Sequence, residues 1–207
     1  MSREQYPTGG DVEAFLAQAG LTSGGLDVNG AAQAGREAFE SATDRRFLAV
    51  AGMREFDPPV AASGVLELGT DLLSVTSVTY GGVTWTAGTE YRLLPANAAA
   101  EGRPYRCLAL NRRWAAPLPF SLQGAIQITG SWGYGARIPE EVWEAMRATA
   151  ALTLLPAISR GLTGGLVSWS DADVHEQYGE DPLSTLTSVW GTIRDSAVTR
   201  YRRVAVG

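Results

Sequence analysis

The chain has 207 residues, 45% of them hydrophobic and 19% charged, with a formal net charge of −5. That composition excludes a disordered chain, and the length suits one domain or two small ones with a real core. The acidic balance excludes tight wrapping of nucleic acid by counterion release. No run of about 18 apolar residues is present to span a membrane, and the opening MSREQYPTGG lacks the apolar centre of a signal peptide.

The first expected helix runs from Val12 to Ala19, with Asp11 as N-cap and Gly20 closing it. Thr22 to Gly25 reads as loop. A second helix is predicted over Val28 to Arg46, because Ala31, Ala34, Ala38, Phe39 and Ala42 recur at helical spacing. Phe47 is the anchor expected after it.

The middle of the chain changes period from 3.6 to 2. Short strands are predicted at Met53–Asp57, Gly64–Leu68, Ser74–Tyr80, Val83–Thr86, Glu90–Leu94 and Tyr105–Leu110. Gly81-Gly82 marks a tight hairpin, since both turn positions tolerate positive φ. Pro95 to Pro104 and Arg112 to Pro119 read as loops. Ile126 and Ile128 alternate with Gln127 and Thr129, a half-buried strand. Gly130, Gly133 and Gly135 bracket Trp132 and Tyr134 and are expected to break regular structure there.

A third helix is expected from Pro139 toward Ala157, with Glu140 and Glu141 favoured by the helix dipole. Pro156 lacks a backbone donor and is expected to kink or end it. Arg160 to Gly165 reads as loop. Leu166 to Gly179 alternates like a short strand. Asp181-Pro182 is the expected start of a fourth helix, with Leu186, Val189, Trp190, Ile193, Ala197, Tyr201 and Val204 on one face. That helix shows no stop signal.

Chemistry-bearing residues are sparse. His175 is the sole histidine and Cys107 the sole cysteine. Zinc needs several such ligands, and a hydrolytic triad would have to use His175. Cys107 reads as a plain strand residue, and one cysteine excludes an internal disulfide. Asp171, Asp173, His175 and Glu176 lack the glycine and terminal glutamate of a calcium loop and read as a solvated acidic loop. No phosphate-binding glycine loop is present. No cofactor, metal or catalytic residue is therefore expected. Every basic side chain is Arg, clustered at Arg45-Arg46, Arg112-Arg113 and Arg200, Arg202, Arg203. Arg favours planar contacts at interfaces. Two helices carry more apolar face than one small domain needs, which points to association.

The order of these pieces resembles the head–tail adaptor (head-completion, or connector) proteins of tailed bacteriophages. The resemblance rests on Ala38-Phe39-Glu40-Ser41-Ala42-Thr43-Asp44-Arg45-Arg46-Phe47, on Leu73 to Gly82, on Ile128 to Gly135 with Ile138-Pro139, on Val167 to Ser170 and on Tyr201-Arg202-Arg203. It covers roughly residues 10 to 204, and its specificity lies in the order of the pieces. It implies an α+β protein: a helical bundle of N-terminal helices plus two C-terminal helices, with a β-rich insertion in the middle. The expected division is one adaptor domain, 1–207, with a helical core of about 10–47 and 138–204 and a β-rich lobe of about 53–135.

The implied role is a twelvefold ring beneath the portal of the capsid. Such a ring extends the DNA channel and docks the next head-closure or tail protein. Genomic double-stranded DNA passes through without specific binding, and no membrane is involved. The implied location is the head–tail junction of the virion, with the host cytoplasm before assembly. The expected portal contact is Arg200, Tyr201, Arg202, Arg203, Val204 and Val206. The alternative contact is Arg112, Arg113 and Trp114. The acidic residues Asp171, Asp173 and Glu176 are expected to face the channel or a neighbour. Competing readings are a head-closure or tail-terminator protein, a carbohydrate-binding module displaying tryptophans, and a hydrolase using Asp171, Asp173 and His175.

Overall fold

In the computed structural model, residues 2–59, 64–111, 126–163, 169–171, 174–176 and 183–203 are described. The fold is α+β, with helices toward both ends and an antiparallel sheet between them. The chain divides into a helical unit, residues 1–44 and 138–207, and a β unit, residues 45–137.

The helical unit contains α1 (Gly9–Gln18), α2 (Val28–Thr43), α3 (Glu140–Thr163) and α4 (Ser184–Tyr201). A two-residue strand β1 (Ser2–Arg3) pairs antiparallel with β8 (Ile138–Pro139). A small hairpin, β9 (Trp169–Asp171) with β10 (Val174–Glu176), precedes α4. The core gathers Val12, Phe15 and Leu16 of α1, Ala31 and Ala32 of α2, Ala148 to Ile158 positions of α3, and Leu183 and Trp190. α3 is buried on nearly every side between Val142 and Ala151, as a central helix must be. Gly35 explains how closely α2 approaches it. A Cβ at Gly35 would stand 2.7 Å from the Ala150 nitrogen and 2.8 Å from its Cβ.

Several expected boundaries move. α1 begins a turn earlier, because Thr8 rather than Asp11 is its N-cap. Asp11 is instead the third helical residue of a capping box: its carboxylate accepts the Thr8 amide at 2.8 Å, and its amide donates to Thr8 Oγ1. α2 stops at Thr43, since Asp44 adopts the left-handed conformation (φ 52°) and closes it. Pro139 lies in β8, one residue before α3. Pro156 does not end α3, which continues to Thr163, so 160–163 are its last turn and not loop. Burial of Leu154, Leu155 and Ile158 against the core outweighs the one hydrogen bond that Pro156 removes. α4 runs from Ser184 behind Leu183, which offers no side-chain cap; the expected start at Asp181-Pro182 lies outside the described residues. It ends at Tyr201 although no stop signal marks that point.

The β unit is one antiparallel sheet in the order β2-β7-β3-β6-β5, with β4 also paired to β3. Its strands are β2 (Val50–Phe56), β3 (Val65–Tyr80), β4 (Val83–Trp85), β5 (Tyr91–Leu94), β6 (Tyr105–Leu110) and β7 (Ile126–Trp132). Two strands were expected where β3 runs unbroken for 16 residues. Its register shifts between Glu67 and Leu72, where Gly69 (φ +58°) absorbs an irregularity without ending the strand. The Gly81-Gly82 hairpin forms as expected, with φ of +56° and +80°. Gly130 does not break β7. It sits inside the strand, where a Cβ would meet the Ser74 carbonyl oxygen at 2.1 Å. The core face carries Leu66, Leu72, Val78, Leu108, Ile126, Ile128 and Trp132.

Candidate functional site

The residues expected at the portal are tied down by residues distant in sequence. Arg200 Nη1 donates to Glu141 Oε2 at 2.8 Å, and the Tyr201 hydroxyl donates to the other oxygen of the same carboxylate. Just past α4, the Arg203 amide donates to the Thr43 carbonyl at 2.9 Å, and its guanidinium pairs with Asp44. Glu141 and Asp44 thus pin the end of α4 to the start of α3 and the end of α2. Arg202 is exposed and forms no ion pair among the described residues. Val204 and Val206 lie outside the described residues, as do Arg112, Arg113, Trp114 and Asp173. Asp171 and Glu176 fall on the paired strands β9 and β10 rather than on an open loop, and His175 stands opposite Ser170.

The glycine-aromatic segment after β7 closes the base of the β unit. Tyr134 donates its amide to the Arg46 carbonyl at 2.7 Å, and Gly135 donates to the Phe47 carbonyl at 3.2 Å. The Gly133 amide donates to the Asp71 carbonyl at 2.9 Å. Arg45 Nη1 spans both oxygens of Asp71 at 2.8 and 2.6 Å, with the two side chains 11% and 1% exposed. The Arg45 guanidinium also lies 5.2 Å from the Tyr134 ring centroid. Phe47, buried, packs its ring against Tyr134. Sequence reasoning missed this buried pair. The Arg45-Arg46 doublet was visible, but its carboxylate lies 26 residues away.

A second missed cluster lies in the helical unit. The Arg3 and Arg147 guanidiniums each stand 4.2 Å from the Trp143 ring, and Arg147 also lies 4.9 Å from Phe15. Glu140 pairs with Arg3, and Glu144 pairs with Arg147. Burial works to raise the Asp11 carboxyl nearby. The Thr8 hydrogen bonds and the Arg147 and Arg3 charges outweigh it, so Asp11 titrates below its ordinary 3.8.

Chemically the described surfaces offer little. Cys107 is buried opposite Glu67, and burial with that facing charge pushes the thiol up, away from reactive thiolate. A hollow of about 360 Å³ beside β5 and β6 is lined by Gly88, Tyr91, Arg92, Leu110 and Asn111, with no acid–base pair. Trp85, Trp132, Trp143 and Trp190 are each no more than 5% exposed and cannot stack on a sugar. Among the described residues no three metal-ligating side chains gather, and no helix is long and apolar enough to cross a membrane.

No protein-family model matches the sequence, and no curated protein matches it. Solved structures do. A chain of the virion of a native gene transfer agent particle aligns at a TM-score of 0.50 and 18% identity, over 100% of this chain and 97% of that one. A chain from the neck of the native particle, computed with C12 symmetry, aligns at 0.47 and 18% identity over the same shares. A chain from the neck of the empty particle, computed with C6 symmetry, aligns at 0.46 and 16%, again over 100% and 97%. At such identities the first of these likenesses is one of fold, and it spans the helical and β segments alike.

Proposed function

We propose that this chain is a structural protein of the neck of a phage-like particle, and within that neck the head–tail adaptor. Twelve copies form a ring beneath the portal, lengthen the DNA channel and dock the next head-closure or tail protein. The observation that supports this reading is the full-length fold likeness to a chain of a gene transfer agent virion, over 100% of this chain and 97% of that one. The net charge of −5 per copy suits a channel through which DNA slides without sticking. In this reading the two units act as one adaptor subunit, made in the host cytoplasm and carried in the virion, with no enzymatic turnover.

The portal contact in this reading falls at the end of α4 and beyond. Glu141 and Asp44 occupy Arg200, Tyr201 and Arg203, so this reading places the anchor at Arg202 and residues 204–207. Arg112, Arg113 and Trp114 are the alternative anchor. Asp171, Asp173 and Glu176 face the channel or the next copy.

The test is the copy number of the protein in purified particles. Quantitative mass spectrometry is expected to give a one-to-one ratio to portal in DNA-filled heads that lack tails. Finding the protein only on particles that already carry a head-closure protein would move it to a later joint, and finding it only on free tails would make it a tail terminator. Removing residues 204–207 keeps every described tie of α4 and is expected to give folded protein that fails to join heads. Normal joining would shift the anchor to Arg112–Trp114.

A further inference from the structure

β2 is an edge strand with few of the features that protect an edge. Among the described residues it pairs on one side only, with β7, and its register runs from Val50 to Phe56 without a shift. It holds no proline and no bulge, two of the devices that blunt an edge against other strands. A third device is charge, and both charged side chains of β2 are engaged by residues of β7. The Arg54 guanidinium stands 4.7 Å from the Trp132 ring, and Glu55 accepts a hydrogen bond from Gln127 at 2.9 Å. The rest of the strand up to Met53, Val50-Ala51-Gly52-Met53, is uncharged and exposed.

Cross-strand partners share a face of a sheet. Val50, Arg54 and Phe56 stand opposite Trp132, Ile128 and Ile126, so they lie on the core face. Ala51, Met53 and Glu55 stand opposite Ser131, Thr129 and Gln127, on the other face. The natural occupant of such an edge is another extended strand, whose backbone completes the ladder and whose side chains meet the two faces alternately. The sequence of β2 fits its own antiparallel copy. With Met53 opposite Met53, Val50 of one strand stands opposite Phe56 of the other, Ala51 opposite Glu55, and Gly52 opposite Arg54. Apolar then meets apolar on the core face, where Phe56 is half-buried with its ring 5.7 Å from Trp132. Small meets charged at the other positions, so no like charges stand directly opposite each other. A shift of two residues one way sets Arg54 against Arg54. The same shift the other way sets Val50 against Arg54, and Phe56 against Leu48 beyond the start of the strand.

We propose that the β2 edges of two copies of this chain pair antiparallel about Met53 and join the two sheets across a twofold axis. The interface is a single ladder of seven residues from each copy, so the dimer forms at high protein concentration only. The proposal goes beyond the adaptor reading. Within that reading the pairing belongs to the free protein, because a head-to-tail ring has no twofold axis between neighbours.

The test is disulfide trapping in the full chain under mild oxidation. A twofold axis through Met53 brings the two Cβ atoms at that position within about 5 Å, close enough for a disulfide. Met53→Cys at about 0.1 mM is expected to give a product of twice the 22.0 kDa chain mass, joined 53 to 53. Wild type, whose Cys107 is buried, is expected to stay unlinked. Ala51→Cys and Glu55→Cys are each expected to give little product alone and to link when mixed, since each faces the other across the pair. Met53→Asp sets two carboxylates opposite each other and is expected to raise the dissociation constant about tenfold in sedimentation equilibrium. No disulfide from Met53→Cys would overturn the proposal and leave the edge to a strand of another protein. Ala51→Cys linking to itself as readily as to Glu55→Cys, or an unchanged dissociation constant in Met53→Asp, would overturn it as well. Absence of the protein from purified particles would instead sink the adaptor reading and leave the pairing standing.

Discussion

Asp11 shows how one side chain can hold a helix end through charge and hydrogen bonding together. Thr8→Ala removes the cap and is expected to cost about 1 kcal/mol in urea unfolding. Asp11→Asn tests the charge. The folded-state value of Asp11 is depressed, so its stabilisation is present above the ordinary 3.8 and is lost as pH falls through the folded value. Wild type is therefore expected to exceed Asp11→Asn in stability at neutral pH and to converge with it in acid. A gap that widens as pH falls would contradict this sign. Arg45 and Asp71 form the other decisive contact at this scale. Breaking a buried pair leaves one charge without compensation, so Asp71→Ala is expected to cost about 3–5 kcal/mol. A loss below about 1 kcal/mol, the range of exposed pairs, would mean that water reaches Arg45.

The helices and strands owe their ends to packing as much as to their own sequences. α2 and α3 cross where Gly35 meets Ala150 with no room for a methyl group. Gly35→Ala raises helix propensity, and on that ground alone would stabilise by up to about 1 kcal/mol. The steric conflict with the Ala150 backbone is larger, so the net expectation is a loss of about 1–3 kcal/mol by thermal unfolding. A gain would show that the helices separate freely. α3 carries Pro156 because its last two turns are anchored by Leu155 and Ile158, and the Pro156 ring itself lies on the exposed side. β3 carries Gly69 for a related reason: pairing with β6 before and after the irregularity, and with β7 from Leu72 onward, keeps the strand continuous.

At the scale of the whole molecule, the adaptor reading repeats one acidic chain around a ring. Like charge on whole subunits, −5 each, opposes stable stacking in solution. Native mass spectrometry of the pure protein is therefore expected to show monomers with only weak association, and a ring only when portal is added. A stable ring without portal would contradict that expectation. Salt sharpens the distinction. It screens the repulsion between whole subunits, so a stable ring that forms without portal at raised ionic strength would equally contradict the expectation.

Much of the fold was legible in the sequence because its signals are local. The period change from 3.6 to 2 and back marked the helical and β segments. Gly81-Gly82 marked a hairpin whose geometry depends on those two residues alone. Val28 and Tyr105–Leu110 fell where their apolar pattern put them. Less of the candidate site was legible. The arginines near the end of α4 were visible as charges, yet their partners Glu141 and Asp44 lie 59 and 159 residues away. The clamp of Arg45 on Asp71, the passage of α3 through Pro156 and the continuity of β3 across Gly69 were likewise invisible. Sequence by itself determined what each segment prefers when considered with its near neighbours. Only the tertiary structure decided where elements end and which charges are spent, because burial and pairing across the chain carry energies larger than local propensity.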